Sequence, residues 1–169
     1  MSNPVVHLSD YNSDWEKLFD FEKKQIIGVI GDKIKDIEHI GSTSIKGLLA
    51  KPIIDIMIGV DDLNLVSTFI TALSEIEFEY IPKPELKDRY FFKKDSGETS
   101  ICHLHICKMN SYEWTEKLLF RDYLRENPKV AKDYALLKSE LASKYKYDRP
   151  TYTKEKEPFI KEIIQIAKD

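Results

Sequence analysis

Residues 38–60 read EHIGSTSIKGLLAKPIIDIMIGV, and this stretch decides the fold. It runs as strand, Gly-Ser turn, basic loop and second strand, and the second strand carries one carboxylate. Gly41 lets backbone approach a ligand closely, while Ser42, Thr43 and Ser44 offer hydroxyls that bond an anion or cap a helix start. Asp55 falls on the second strand, sharing a face with Ile53 and Met57, and Ile54, Ile56, Ile58 and Val60 line the opposite face. A lone charge on an apolar strand needs a partner, and a metal ion is one of the few that justify its cost. The stretch therefore reads as a phosphate site facing a metal site. The plainer alternative is that Asp55 only braces the turn through hydrogen bonds. Lys46 and Lys51 are local cations for a triphosphate, or else solvated loop lysines.

Outward from this segment, Asn12 or Ser13 caps a helix whose apolar positions Trp15, Leu18, Phe19, Ile26, Val29 and Ile30 repeat with helical period up to Gly31. Strands are expected at 35–40 and 52–60, then a helix from Leu63 to Leu73, then strands at 77–81, 89–94 and 100–107 around Pro82, Pro84 and the Ser96-Gly97 turn. From Ser111 only helices are expected. One runs to Glu126; a second starts at Pro128 after an Asn127 cap, with Val130, Tyr134, Leu137, Leu141 and Tyr145 on one face; a third spans about Thr151 to Lys168. The pattern predicts an α+β protein. Residues 1–110 form a mixed β-sheet with flanking helices, and residues 111–169 form a C-terminal helical appendage packed on it as a single structural unit.

Composition narrows the function classes. Lys and Arg number 26 against 29 Asp and Glu, a net charge of −3, which argues against an extended nucleic-acid footprint while leaving a mononucleotide open. No apolar run approaches the ~18 residues that span a bilayer, so no membrane association is expected. The opening MSNPVVHLSDYNSDW has no secretory pattern, so the expected location is cytoplasmic. Cys102 and Cys107 lie on opposite faces of one strand and read as buried reduced thiols.

Two further signals concern chemistry. His103 and His105 alternate on one strand and point to the same side, and His39 lies on another strand near the suspected site. Asp55, His103 and His105 are a reasonable donor set for zinc or a similar ion. The imidazoles could equally bond backbone or touch a ligand phosphate. In the helices, Lys156 interrupts the apolar stripe of Tyr152, Phe159 and Ile163, and Lys138 borders that of Tyr134 and Leu141. Either lysine forms a salt bridge to Asp148, or the two build a basic, tyrosine-lined wall over the Gly-Ser turn.

HIGSTSIKGLLAKPIIDI, CHLHIC, FRDYLRENPKVAKDYALLKSELA and DRPTYTKEKEPFI, taken together, resemble the GrpB family over about Val5 to Ala167. That family is grouped with the nucleotidyltransferase superfamily, marked by a hydrophobic-Gly-Ser turn, Asp-x-Asp on the next strand and a third acid on a later one. Ile40-Gly41-Ser42 matches the turn and Asp55 the first acid. Met57 stands where the second acid belongs, and His103 and His105 replace the third. The resemblance implies a nucleotidyltransferase-like fold and metal-dependent transfer of a nucleotidyl group from a nucleoside triphosphate to an acceptor. It places phosphate on Gly41, Ser42, Ser44 and Lys51, and a divalent metal (Mg, or Zn or Mn) on Asp55, His103 and His105. The catalytic residues it implies are Asp55, His103 and His105, with substrate on Arg89, Lys138, Tyr152 and Lys156. The expected partner is a nucleotide or other phosphorylated small molecule. Two alternatives stand beside it: an inactive nucleotide- or metabolite-binding module, and a metal-dependent phosphoester hydrolase.

Overall fold

A computed structural model describes residues 5–169. Residues 1–4, which open both the segment read for a secretory signal and the expected 1–110 unit, lie outside the described residues. Helix α1 (Asp14–Ile30) starts where Asn12 Oδ1 accepts from Asp14 N at 2.9 Å, with Asp14 and Glu16 in the first turn where the helix dipole favours negative charge. Strand β1 (Asp36–Ile40), a 3₁₀ turn at Ser42–Ser44 and strand β2 (Ile54–Val60) follow. Next come a 3₁₀ segment (Leu63–Phe69), helix α2 (Ile70–Glu75) and strands β3 (Glu79–Tyr80), β4 (Arg89–Ser96) and β5 (Thr99–Lys108). Helices α3 (Tyr112–Glu126), α4 (Pro128–Lys144) and α5 (Arg149–Lys168) complete the chain.

The five strands form one mixed sheet in the order β1-β2-β5-β4-β3, with β2 and β5 parallel and the other pairs antiparallel. A parallel neighbour requires a crossover, which the chain makes through α2, β3 and β4. One sheet face is covered by Trp15, Ile26 and Ile30 of α1 and by Val66, Phe69 and Leu73, which pack on Ile54, Ile56, Ile58, Leu104 and Ile106. The other face is covered only at one end, where Ile40, Met57 and Cys107 meet Trp114 of α3. That leaves Asp55, His103 and His105 on the part of the face beneath the C-terminal helices. Those helices have a core of their own, Leu124, Tyr134 and Ile163, and the loop after the Gly-Ser turn inserts Ile45 and Leu48 into it. Each such fully buried side chain is worth roughly 1.5–3 kcal/mol, so the turn is anchored to the helices as firmly as to the sheet.

Three expected elements differ. The Leu63–Leu73 helix opens as a 3₁₀ segment to Phe69, because Asp62 accepts from Asn64 N and the Thr68 hydroxyl donates to Leu65 O at 2.6 Å, side-chain bonds that compete with the helical ladder. The 77–81 strand shrinks to Glu79–Tyr80, since Glu77 adopts φ 71°. Asn127 does not cap α4 with its side chain; its Nδ2 donates back to Tyr123 O at 2.9 Å, and Pro128 occupies the first helical position. Cys102 and Cys107 are both free and buried, on opposite sides of β5. Among the described residues no helix is long and apolar enough to cross a membrane.

Candidate active site

The site begins at Gly41, which leaves β1 with φ 72°, a conformation that L side chains rarely adopt. A Cβ there would also fall 2.5 Å from Asp55 Oδ2, because the β1–β2 register sets Ile40 opposite Asp55. The Gly-Ser turn and the carboxylate are therefore one unit. Ser44 N and Oγ both donate to Gly41 O, at 3.1 and 2.5 Å. From outside, Arg125 of α3 donates Nε and Nη2 to Ser44 O at 3.0 and 2.8 Å, and Arg121 donates Nη1 to His39 O at 3.0 Å and to Glu38 Oε2 at 3.2 Å. Ser44, expected at a phosphate, is instead buried within the turn and does not line the cavity beside Gly41 and Ser42. Arg121 and Arg125 were not legible as parts of the turn, although both lie in the FRDYLRE segment.

Along the parallel β2–β5 register, Asp55 pairs with His103 and Met57 with His105. Asp55 Oδ1 lies 3.8 Å from His103 Nδ1 and 3.9 Å from His105 Nε2, and Phe91 packs against both imidazoles. Burial opposes ionisation of Asp55, but His105, His103 and Lys51 together outweigh it and hold the carboxyl below its ordinary value. Burial lowers His103 to about 4 despite the opposing pull of Asp55, so His103 is a neutral imidazole at pH 7. His39 does not join them. It stacks on Phe19 at 4.7 Å on the α1 side and meets Thr43 Oγ1 at 2.9 Å.

A pair of divalent ions does not fit these residues. Among the strand residues that line the cavity Asp55 is the one carboxylate, and Met57 stands fully buried in the place of a second. Among the described residues no group of three or more His, Cys, Asp or Glu side chains is arranged to hold a metal ion. The expected ligand set of Asp55, His103 and His105 is thus one carboxylate in polar contact with two imidazoles.

Opposite the sheet, a cavity of about 510 Å³ is closed by α4 and α5, and it gathers Gly41, Ser42, Lys51, Asp55, Arg89, His103, His105, Lys138, Tyr152 and Lys156. This volume suits a nucleotide-sized ligand. Lys138 is only 2% exposed; its Nζ donates to Ser42 Oγ at 2.9 Å and to Leu49 O, and sits 4.8 Å from the centre of the Tyr134 ring. Lys51 and Lys156 stand over the Tyr152 ring at 5.6 and 4.6 Å. None of these three lysines joins the ion pairs formed among the described residues; Asp148, one of the two alternatives for Lys138 and Lys156, instead caps α5 through Thr151. Burial, reinforced by the mutual repulsion of the lysines, lowers Lys138 to about 7 and Lys156 to about 8, and burial with the nearby Arg149 lowers Lys51 to about 8. Lys46 is elsewhere, exposed and 3.9 Å from Glu16. Arg89 lines the cavity with its Nη1 held 2.6 Å from Glu113 Oε2, a partner the sequence reading missed because α3 brings it in from outside the quoted motifs.

The profile of the GrpB protein family matches residues 5–166. The chain belongs to the GrpB family. It is 39% identical over 163 residues to the glutamate-rich protein GrpB of Alkalihalophilus pseudofirmus, covering 94% of each chain. It also superposes on the crystal structure of the conserved protein GrpB from Enterococcus faecalis with a TM-score of 0.88 at 32% identity, covering 95% of this chain and 96% of that one. The fold extends to the Cid1 poly(U) polymerase, solved with MgGTP bound, at a TM-score of 0.53 and 14% identity over 82% of this chain and 44% of Cid1. This GrpB-family chain therefore has a nucleotidyltransferase-like fold.

Proposed function

We propose that this GrpB-family protein binds a nucleotide or another phosphorylated small molecule in the cavity and works as a nucleotidyltransferase-type enzyme on an acceptor held beside it. One observation carries the reading: Ser42 of the Gly-Ser turn receives the buried Lys138, and Lys51 and Lys156 face the same space, three lysines that form no salt bridge among the described residues. Buried cations left unpaired by the protein are matched by an anion, and a polyphosphate is the anion that needs several. Phosphates lie on Ser42 and the three lysines. An acceptor oxygen attacks the α-phosphorus while its proton passes to the neutral His103, whose imidazolium form Asp55 stabilises. The bond to pyrophosphate breaks, and pyrophosphate leaves against the lysines.

A second reading, binding without turnover, is favoured by Met57 in the place of a carboxylate. Incubation with α-labelled nucleoside triphosphates and a metabolite pool separates the two. Pyrophosphate release is expected from wild type and is expected to fall by roughly 10²–10⁴ in Asp55→Ala and His103→Ala, the usual reach of general-base catalysis. Binding without release supports the second reading, release of a free nucleoside monophosphate marks hydrolysis, and no binding at all defeats every version.

A further inference from the structure

Past Lys156, helix α5 keeps turning one face to the cavity: Tyr152, Lys156, Ile160 and Ile164 follow one another at four-residue steps, and all four line it. At 1.5 Å of rise per residue, Ile160 and Ile164 stand about 6 and about 12 Å along the helix from Lys156. Lys168 Nζ lies 3.5 Å from Glu116 Oε2, so the end of α5 runs beside the start of α3, and Phe120 of α3 lines the cavity as well. Phe120 and Ile160 pack on the Leu124, Tyr134 and Ile163 core and still stay only half-buried. Ile164 is half-buried too and belongs to none of the apolar cores described above. Three apolar side chains thus keep accessible surface on a wall continuous with the lysines.

This part of the roof holds little that could read the edge of a base. Phe120, Ile160 and Ile164 neither donate nor accept through their side chains, and their backbone groups are taken up in the ladders of α3 and α5. Glu116 and Lys117 are drawn off to Lys168 at 3.5 Å and to Glu113 at 4.0 Å, and Glu157 and Lys161 are exposed. Among the described residues no Asn or Gln lines the cavity. A base edge is told apart by hydrogen bonds, whereas every base has a flat face that stacks on apolar and aromatic groups. The wall suits the face.

We infer that Phe120, Ile160 and Ile164 form an apolar subsite that holds the base of a bound nucleotide by its face, one to two turns of α5 beyond the lysines that hold its phosphates. The site therefore accepts nucleotides with little regard to which base they carry, and affinity follows the apolar area of the base. The inference rests on the phosphate reading above and adds which nucleotides the cavity takes.

Calorimetric titration of the full chain with methyl triphosphate, ATP, GTP and UTP tests it. Wild type is expected to bind ATP roughly tenfold more tightly than methyl triphosphate, the scale of removing on the order of 50–60 Å² of apolar surface from water. ATP and GTP are expected to agree within about threefold, with UTP, the smaller base, weaker than both. Ile164→Ser is expected to remove most of the gain of ATP over methyl triphosphate while leaving methyl triphosphate affinity unchanged, which also shows that the variant is folded. Equal wild-type affinity for ATP and methyl triphosphate overturns the subsite and leaves the phosphate site standing. A preference of more than about tenfold between ATP and GTP overturns recognition by the face, since that scale is reached by hydrogen bonds to the edge. Equal loss of ATP and methyl triphosphate in Ile164→Ser overturns the assignment to this wall, and no binding of any of these compounds overturns both proposals.

Discussion

Lys138 is the residue on which the site turns. A lysine 2% exposed, bonded only to a hydroxyl and a carbonyl and flanked by two more lysines, is held at about 7 instead of its ordinary 10.5. The unfolded chain therefore binds more protons than the folded one between about pH 7 and 10.5, so stability rises with pH over that window and the full cost is felt below it. Lys51 and Lys156, each held at about 8, act in the same direction. Thermal unfolding at pH 7 and pH 9 should show a gain for wild type that is reduced in Lys138→Met; identical slopes would mean that Lys138 stays charged throughout. A bound phosphate reverses the balance, because it pairs with the cations that the empty fold strains to hold. At this scale the sequence was partly legible. Lys138 and Lys156 stood out as charges on apolar stripes, but whether they met Asp148 or the turn depended on the rotation of α4 and α5, which no spacing within one helix records.

Helix α3 is the element that joins the two halves. Through Arg121 and Arg125 it holds the end of β1 and the carbonyl of Ser44, and through Trp114 it covers Met57 and Cys107. Two charged donors on one carbonyl make Arg125 the main clamp on the Gly-Ser turn, and its loss should cost about 1–3 kcal/mol. In urea titrations Arg125→Ala is expected to lower stability by that amount and to weaken nucleotide binding without touching Asp55 or His103. Arg125→Lys restores less than half, since an ammonium cannot reproduce the planar two-donor grip. Undiminished nucleotide affinity in Arg125→Ala would show that the turn holds its shape without the helix. Periodicity located α1, α3, α4 and α5 to within a few residues. It missed the 3₁₀ run at Leu63–Phe69 because Asp62 and Thr68 bond locally to backbone there, a competition that the apolar stripe does not register.

Across the whole molecule, a sheet buried on one face by α1 and α2 leaves part of its other face to be roofed by helices that share a core with the Gly-Ser loop. The cavity between sheet and roof is a consequence of that arrangement, and the roof presents Lys138 and Lys156 where the sheet presents Asp55 to the cavity. The two walls were readable in sequence as separate signals, the Gly-Ser turn with Asp55 and the lysines among tyrosines. Their meeting, and the arrival of Glu113 at Arg89, are long-range contacts that only the assembled fold supplies. On this arrangement the lysine wall and the Gly-Ser turn hold phosphate together. A crystal structure with a non-hydrolysable nucleoside triphosphate tests it most directly. Phosphate oxygens within about 3.2 Å of both Ser42 Oγ and Lys138 Nζ, hydrogen-bonding distance, are the predicted result. Phosphates bound instead at Arg121 and Arg125 on the α1 side, with the lysine cavity filled only by water, would contradict it.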